Sequence, residues 1–272
     1  MRLAYDHLPA IHEYQELQEA RNVVAAGLGD ELGVRIEPLT PQLTAVRTAS
    51  MPLHAPGNQV FGFTPEHLGE LDIVESWFDA VGSAVHLRAG ADAVNRELAD
   101  VLTARGYAAM NVEAWMVADL VELHIDAPVH DIRHVVDASG NDDFARAFCA
   151  GWQVDSRELE RIVGAAMAPW PEPPRWHRFV AWVDGQPAAQ ALLVVGEHVG
   201  YLAEAATDPR FRRRGLQRAL IAHRARIARE LGCTQLFSQV TWGDASWANM
   251  RQLGLREGHM TVRYCRPPQD RS

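Results

Sequence analysis

Apolar residues change their spacing several times along the second half of the chain, and each change predicts a different element. Apolar positions three or four residues apart predict helices, and short apolar runs bounded by turn residues predict strands. The predicted strands are residues 132–136, 179–183, 190–195, 199–206, 235–241 and 259–266, and the predicted helices are residues 139–152, 155–167, 215–231 and 245–253. The order β-α-α-β-β-β-α-β-α-β indicates an α/β (α+β) fold in which helices pack on a mixed sheet.

Polar and turn-forming residues mark the ends of these elements. Ser139 or Asn141 is the predicted cap of the first helix, and Asp155 with Glu158 forms a variant capping box for the second. Asp184-Gly185 is a hairpin turn, and residues 169–174 form a proline-rich loop.

The first half is less regular. The pattern predicts a helix over residues 8–29, a loop-rich stretch over 41–65, and a strand at 85–88, and then a helix over 92–105 and a strand at 115–123. Pro128 lies in the polar stretch 126–131 and cannot donate a strand hydrogen bond. We therefore predict two domains, residues 1–127 and 132–267.

Charge is unevenly divided along the 272 residues. Residues 1–131 carry a net charge of −13 and residues 132–272 a net charge of +4. A mildly basic second half suits a small anionic ligand, whereas a dedicated nucleic-acid binder usually carries a dense basic stripe. We expect no nucleic-acid partner.

The sequence shows no membrane span, signal peptide or paired cysteines, and these absences bear on the predicted compartment and on metal binding. No apolar run approaches the length of a membrane span, and the N-terminus does not resemble a signal peptide. Cys149, Cys233 and Cys265 lie far apart, which favours reduced thiols over disulfides or a zinc site. These features predict a cytoplasmic protein without a metal or a membrane partner.

The segment from Thr207 to Gln217 carries the most chemical information. It contains four arginines, Arg210, Arg212, Arg213 and Arg214, followed by Gly215, and it joins a strand to a long helix. A helix N-terminus presents unpaired N–H groups and a positive dipole end, which favour phosphate. Arginine forks add hydrogen bonds to phosphate oxygens. The expected ligand is therefore a pyrophosphate, although neither a P-loop nor a Rossmann fingerprint is present.

Two motifs in this half resemble those of the GNAT acyltransferases. Arg212-x-x-Gly215-x-Gln217 is similar to the family's acyl-CoA loop, in which Gln or Arg is followed at fixed spacing by Gly and then by Gly or Ala. The run from Ser246 through Asn249 to Gly254-Leu255 resembles the family's Ser-x-x-Asn helix and its Gly-Phe pair. The resemblance covers about residues 132–267 and implies that acetyl-CoA, or another short acyl-CoA, binds there.

The resemblance also implies roles for individual residues. Backbone groups of Ala205, Ala206 and Thr207 are expected to pair with the pantetheine arm. Asn249 and Ser246 are expected beside its thiol end. Backbone N–H groups are expected to hold the pyrophosphate in the segment that comprises Arg212, Arg213, Arg214, Gly215, Leu216 and Gln217.

Glu204 is the predicted general base, because a carboxylate in an otherwise apolar strand is costly without a purpose. Pairing with an arginine, or a position facing solvent, is the alternative. Met250 stands where family members often carry a tyrosine acid, so the leaving thiolate is protonated by water or by another group.

These features predict an N-acyltransferase that moves an acetyl or short acyl group to a primary amine by direct transfer in a ternary complex. No Cys or Ser lies where a covalent carrier is needed. The alternatives are a non-catalytic acyl-CoA-binding or regulatory module, or acyl-CoA chemistry without amine transfer.

The acceptor and the oligomeric state, monomer or homodimer, are not specified by a motif. The acidic first half favours a cationic small-molecule or peptide amine, and Trp152 or Trp170 is a candidate for the acceptor site. Residues 92–120 weakly resemble the end of a GNAT fold, which suggests a tandem protein whose N-terminal copy has degenerated; an unrelated α/β cap is the alternative. On the long helix, Arg218, Arg224, Arg226 and Arg229 are expected to form a solvated face.

Overall fold

The computed structural model of the chain describes residues 8–154, 157–168, 175–196 and 198–269. The helices are α1 (Leu8–Ala25), α2 (Gly29–Leu32), α3 (Leu71–Asp79), α4 (Arg96–Ala104), α5 (Ala138–Gly151), α6 (Arg157–Ala166), α7 (Leu216–Glu230) and α8 (Ala245–Gln252). The strands are β1 (Val34–Pro38), β2 (Thr44–Thr48), β3 (Gln59–Phe61), β4 (Val85–Gly90), β5 (Ala108–Asp119), β6 (Asp131–His134), β7 (Arg175–Val183), β8 (Gln186–Val195), β9 (Val199–Thr207), β10 (Gln235–Thr241) and β11 (Arg256–Arg266). Among the described helices, none has the length and apolar character needed to cross a membrane.

The chain forms two compact units. The first unit is drawn from Met1–Trp115, Val240–Asp244 and Glu257–Ser272, and the second from Met116–Gln239 and Ala245–Arg256. The first unit is not one continuous stretch because β11, near the end of the chain, pairs with β4. The predicted domains, residues 1–127 and 132–267, are continuous stretches of sequence, whereas these compact units are not. The domain boundaries stay a prediction.

The second unit contains a mixed sheet in the order β10-β9-β8-β7-β6. Neighbours from β6 to β9 are antiparallel, and β9 is parallel to β10. Helices α5 and α7 both pack on β8 and β9. Within the described residues, the second half of the chain follows the predicted order of strands and helices.

The start of α5 differs from the prediction. Asp137, rather than Ser139 or Asn141, caps the helix, and its carboxylate accepts a hydrogen bond from Gly140 N at 2.8 Å. Asn141 instead accepts a hydrogen bond from the side chain of Arg178 on β7. The predicted cap at Asp155 and the proline-rich loop 169–174 lie outside the described residues.

The first unit contains strands in the order β1-β2-β3-β4-β11. Its apolar core includes Leu71, Val74 and Phe78 of α3, and Leu98 and Leu102 of α4. The sequence pattern missed β1 and α3, and it missed β2 and β3 within the stretch predicted to be loop-rich. The missed strands are three to five residues long, too short for an alternating pattern to be distinguished from a loop.

Both halves of the chain use the same succession of elements. In the first half β3, a 3₁₀ turn at Pro65–Glu70, α3, β4, α4 and β5 follow one another, and in the second half β9, a 3₁₀ turn at Pro209–Phe211, α7, β10, α8 and β11 do so. In each succession a helix joins two parallel strands, β3 to β4 or β9 to β10. This repetition supports the interpretation that the first half is a second copy of the same fold.

The turn of the first copy has the opposite charge to that of the second. Glu66, Glu70 and Asp72 lie around the N-terminus of α3, whereas arginines precede α7. Carboxylates there would repel a phosphate ligand. The charge difference is consistent with loss of anion binding in the first copy.

A buried ionic network lies inside the first unit. Arg88 donates from Nη1 and Nη2 to Glu16 at 2.7 and 2.9 Å, and from Nε to Glu113 at 3.0 Å. Arg263 pairs with Glu113 at 2.6 Å, and His12 lies 3.3 Å from Glu16. The opposite charges outweigh burial, so they raise the pKa of Arg88 and lower the pKa of Glu113, which favours the ionised form of both groups.

We predict that Arg88→Met lowers the free energy of unfolding by about 3–5 kcal/mol, because Glu16 and Glu113 lose their shared partner while buried. Urea unfolding followed by circular dichroism measures the change. Arg96→Met is the matched control: Arg96 pairs with Asp100 while its side chain is 94% exposed, and we expect a change below about 0.5 kcal/mol. Equal losses in the two variants would contradict the assignment of a structural network.

Candidate functional site

Strands β9 and β10 separate part-way along their length. Their parallel pairing runs through three residue pairs and ends at Tyr201 opposite Phe237, although β9 continues to Thr207. Beyond that point the register with β10 provides no partners for the last part of β9. An extended ligand can therefore approach the backbone of β9 at this edge, as a peptide does at an exposed sheet edge.

A β-bulge lies in the same part of β9. On β8, Gln190 faces Ala206 and Leu192 faces Ala203, so Glu204 and Ala205 together oppose one residue. Glu204 adopts a φ of +35°, which is unusual for a residue with a side chain. The bulge re-aims the backbone at Glu204 and Ala205, where the segment Ala205–Thr207 begins.

The turn that follows β9 leads directly to the start of α7. Buried Asp208 accepts hydrogen bonds from Arg210 N at 2.9 Å and from the Arg210 guanidinium, and this guanidinium lowers the pKa of Asp208. Gly215 precedes the helix with a φ of +77°. A Cβ at Gly215 would lie 2.6 Å from Cγ of Pro128, so both conformation and space favour glycine.

A cavity of about 860 Å³ lies between the end of β9, the N-terminus of α7 and α8. It is lined by Gly151, Trp152, Gln153, Gln190, Ala205, Ala206, Thr207, Phe211, Arg212, Arg213, Gly215, Leu216, Gln217, Arg218, Leu220, Ile221, Ala245, Ser246, Asn249, Gln252 and Leu253. These described lining residues include three arginines and no carboxylate. Their charge and the N-terminus of α7 suit an anion.

Most of the residues predicted from the sequence meet at this cavity. All the predicted ligand-binding residues line it except Arg214, whose side chain lies 3.7 Å from Asp184 and over the ring of Phe211. Asn249 donates to Gln217 Oε1 at 2.7 Å and so connects α8 to the start of α7. Glu204 is half-buried. It comes directly before the lining residue Ala205 on β9, but it does not line the cavity itself.

Arg212 has a second role besides lining the cavity. Its Nε donates to Thr207 O and its Nη2 to Gly151 O, both at 3.3 Å. Gly151 is the last residue of α5, so this side chain ties the end of that helix to the end of β9. The backbone of Arg212 remains the group predicted to meet pyrophosphate.

Gly151, the last residue of α5, lines the cavity and was not predicted from the sequence. Gly151 lies so close to β9 that a Cβ would be 2.5 Å from Cβ of Ala206 and 3.1 Å from Thr207 N. Trp152, a predicted acceptor-site candidate, lines the cavity and is 58% exposed, whereas Trp170 lies outside the described residues. A glycine in a helix gives no local signal of such tertiary contact.

Gln190 is another lining residue without a sequence signal. Its side chain is fully buried on β8, and neither its carboxamide nitrogen nor its oxygen has a partner among the described residues. Met250, at the position of the usual tyrosine acid, is also buried. The side chain of Met250 offers no proton.

Unusual backbone conformations concentrate around the cavity. Among the described residues other than glycine, Gln153, Asp184, Glu204 and Arg213 have positive φ. Gln153 and Arg213 line the cavity, and Glu204 precedes it. Such strain persists when the surrounding structure enforces it, and it is common at functional sites.

The expectation that Arg224 belongs to a solvated face is wrong. The residue is 1% exposed, and its guanidinium donates to the backbone carbonyls of Leu192, Ala203 and Leu220. Burial lowers the pKa of Arg224 to about 9, which leaves it cationic at neutral pH. The helical pattern could not reveal this because an arginine on the inward face looks like any interruption of an apolar stripe.

The sequence model of the acetyltransferase (GNAT) family matches residues 139–255. This part of the chain is a GNAT domain. The match begins in α5 and ends before β11, and it contains every residue that lines the cavity.

Solved structures resemble the chain over most of its length. A GCN5-related N-acetyltransferase from Kribbella flavida is 18% identical with a TM-score of 0.60, covering 92% of this chain and 96% of that chain. A GCN5-related N-acetyltransferase from Sphaerobacter thermophilus is 15% identical with a TM-score of 0.59, covering 90% and 87%. A tandem GNAT protein from the clavulanic acid biosynthesis pathway is 10% identical with a TM-score of 0.56, covering 84% and 79%.

At these identities the likeness establishes the fold, and the tandem GNAT protein shows that a chain of this architecture exists with two such halves. Among curated proteins, none matches the chain.

We predict that Gly151→Ala destabilises the GNAT domain by about 1–3 kcal/mol, because the added methyl group meets the backbone of β9. Thermal unfolding measures the change. Gly196→Ala is the matched control in the same unit, since its nearest neighbour would be at 3.8 Å and its φ is not positive. A Gly151→Ala protein as stable as this control would show that α5 and β9 are not packed closely.

Proposed function

We propose that this protein transfers an acetyl or other short acyl group from acyl-CoA to a primary amine, by direct transfer in a ternary complex. The observation that carries the proposal is the cationic cavity at the N-terminus of α7, beside the free edge of β9. The GNAT domain supports acyl transfer from acyl-CoA as the reaction class.

The pyrophosphate of acyl-CoA would lie at the start of α7. Arg213 and Gly215 have positive φ values, and we expect these to direct backbone N–H groups between Arg212 and Gln217 towards the pyrophosphate. Alternation of ordinary and positive φ turns successive N–H groups into a concave anion site. The guanidinium groups of Arg213 and Arg218 would neutralise the remaining charge.

The pantetheine arm would extend along β9. Its amides require hydrogen-bond donors and acceptors, and the backbone of Ala205, Ala206 and Thr207 offers both at the edge that β10 leaves open. Ser246 and Asn249 on α8 line the same cavity and would lie near the thiol end. The hydrogen bond from Asn249 to Gln217 keeps the two helices in register with each other.

Glu204 is the proposed general base. It lies on β9 directly before the cavity-lining residues Ala205–Thr207, and it adopts its positive φ within the bulge. The attacking amine loses a proton as its nitrogen forms a bond to the thioester carbonyl carbon, and the carbon–sulfur bond then breaks to release CoA. Glu204 accepts the amine proton, directly or through water. With Met250 in the tyrosine position, water is the proposed proton donor to the thiolate.

A non-catalytic acyl-CoA-binding module is the second candidate. The observation that favours it is Met250, which is buried and cannot act as an acid. Both candidates bind acyl-CoA, so binding and turnover must be measured separately. The acceptor proposed here is a small-molecule or peptide amine, and monomer or homodimer remains the predicted state.

We predict that acetyl-CoA binds with a dissociation constant of about 1–100 μM, within the usual range for enzyme substrates, and that the double variant Arg214→Ala/Gly215→Glu abolishes binding. A glutamate there must adopt positive φ and adds a negative charge beside the phosphates. Isothermal titration measures both proteins.

The matched control is Arg214→Ala/Gly232→Glu. Gly232 follows the other end of α7 with a φ of +86° and open space, so the same charge and similar strain are introduced far from the loop. This control is expected to retain micromolar affinity. Failure of the wild-type protein to bind acetyl-CoA, CoA or longer acyl-CoAs would refute the proposed function.

We predict that Glu204→Gln lowers turnover about 100-fold or more while leaving acetyl-CoA affinity within about twofold, as expected for loss of a general base. Release of CoA thiol in the presence of a panel of primary amines measures turnover. Glu204→Gly is the companion variant, because glycine relieves the positive φ but also lacks the carboxylate. Full turnover in either variant would exclude Glu204 as the base, and binding without turnover in the wild type would favour the non-catalytic module.

A further inference from the structure

Arg224 connects α7 to the two strands that carry the bulge. Its Nη1 donates to the carbonyl oxygens of Leu192 on β8 at 2.8 Å and Ala203 on β9 at 3.1 Å. Leu192 and Ala203 face each other in the pair that borders the bulge. One guanidinium therefore fastens both strands at the residue where their regular pairing stops.

The contacts of Arg224 are directional rather than ionic. Nε donates to Leu220 O at 3.2 Å, and among the described residues every hydrogen-bond partner of the guanidinium is a backbone carbonyl. No ion pair with a described carboxylate compensates this buried cation. Burying a cation without a counter-charge is costly, so its location requires a role that a hydrophobic side chain would not fulfil.

β10, the other neighbour of β9, also holds this strand, at Leu202 next to Ala203. Ser238 on β10 is buried, and its hydroxyl donates to Leu202 O at 2.9 Å. This contact comes directly after the parallel pairing with β10 has ended. Side chains of Arg224 and Ser238 thus hold the consecutive carbonyls of Ala203 and Leu202 where backbone pairing changes.

We propose that Arg224 is a positioning residue for the acyl donor: by holding the carbonyls of Leu192 and Ala203, it fixes the bulge that turns the backbone of residues 205–207 towards the pantetheine arm. This inference rests on the proposed function, because it requires acyl-CoA to bind along β9. Arg224 does not touch the ligand and acts through the strand.

The test compares two ligands in the same protein. Adenosine 3′-phosphate 5′-diphosphate contains the pyrophosphate but lacks the pantetheine arm, whereas CoA contains both. We expect Arg224→Met to lower the affinity for CoA about tenfold, which is the scale of one lost charged hydrogen bond. The affinity for the nucleotide should change by less than about twofold. Isothermal titration measures both constants.

Three further variants sharpen the comparison. Arg224→Lys keeps the charge but can reach fewer carbonyls. We therefore expect the affinity for CoA to fall about threefold while the affinity for the nucleotide stays unchanged. Ser238→Ala should give a similar selective loss. Arg226→Met is the control, since Arg226 lies on the same helix, is exposed and pairs with Glu230; both affinities should stay unchanged.

The outcomes separate the two proposals. If the wild-type protein binds neither ligand, the proposed function fails. If it binds both, and Arg224→Met weakens both equally or neither, Arg224 supports only the fold and the inference is overturned. Should Arg224→Met not yield folded protein, an unchanged ratio of CoA to nucleotide affinity in Arg224→Lys and in Ser238→Ala overturns it equally.

Discussion

The departure of β9 from β10 is the constraint on which the rest of the site depends. A strand that leaves its neighbour exposes backbone N–H and C=O groups, and such groups are costly when buried without partners. Side chains from three directions hold β9 in this state. Arg224 and Ser238 bind the carbonyls of Ala203 and Leu202, and Arg212 binds Thr207 O. The strand is therefore held open without a ligand and remains available for one.

Close packing also constrains this region of the second unit. The end of α5 approaches β9 at Gly151, and Pro128 approaches the start of α7 at Gly215, each at a distance that leaves no room for a methyl group. Around them, Gln153, Glu204 and Arg213 keep strained conformations. The packing that enforces this strain also fixes the backbone N–H groups and the bulge before a ligand binds. Less conformational entropy of the protein would therefore be lost on binding.

The two halves of the chain share one order of elements but differ in the charge at the corresponding turn. In the second half the helix after the 3₁₀ turn begins beside arginines, and in the first half the corresponding helix begins beside Glu66, Glu70 and Asp72. The first unit also contains a buried ionic network of Arg88, Glu16 and Glu113. The two halves therefore share an order of elements and differ in the charge of the residues at the corresponding turn.

Local patterns in the sequence determined the order of elements in the second half and the loop from Thr207 to Gln217. They were sufficient because helical and strand periodicity and the N-terminus of α7 are properties of adjacent residues. The short strands β1 to β3 were not recognisable, since three to five residues carry too little periodicity. Tertiary structure alone decided that Gly151 contacts β9, that Gln190 lines the cavity and that Arg224 is buried against two strands. Each of these contacts joins residues that are distant in the chain: Arg224 lies 21 positions from Ala203 and 32 positions from Leu192. Gly151 meets Ala206 of β9, and Gln190 pairs with Ala206 across a hairpin. The spacing of residues in the sequence reports contacts within one element, and it does not show which residues from distant elements will meet.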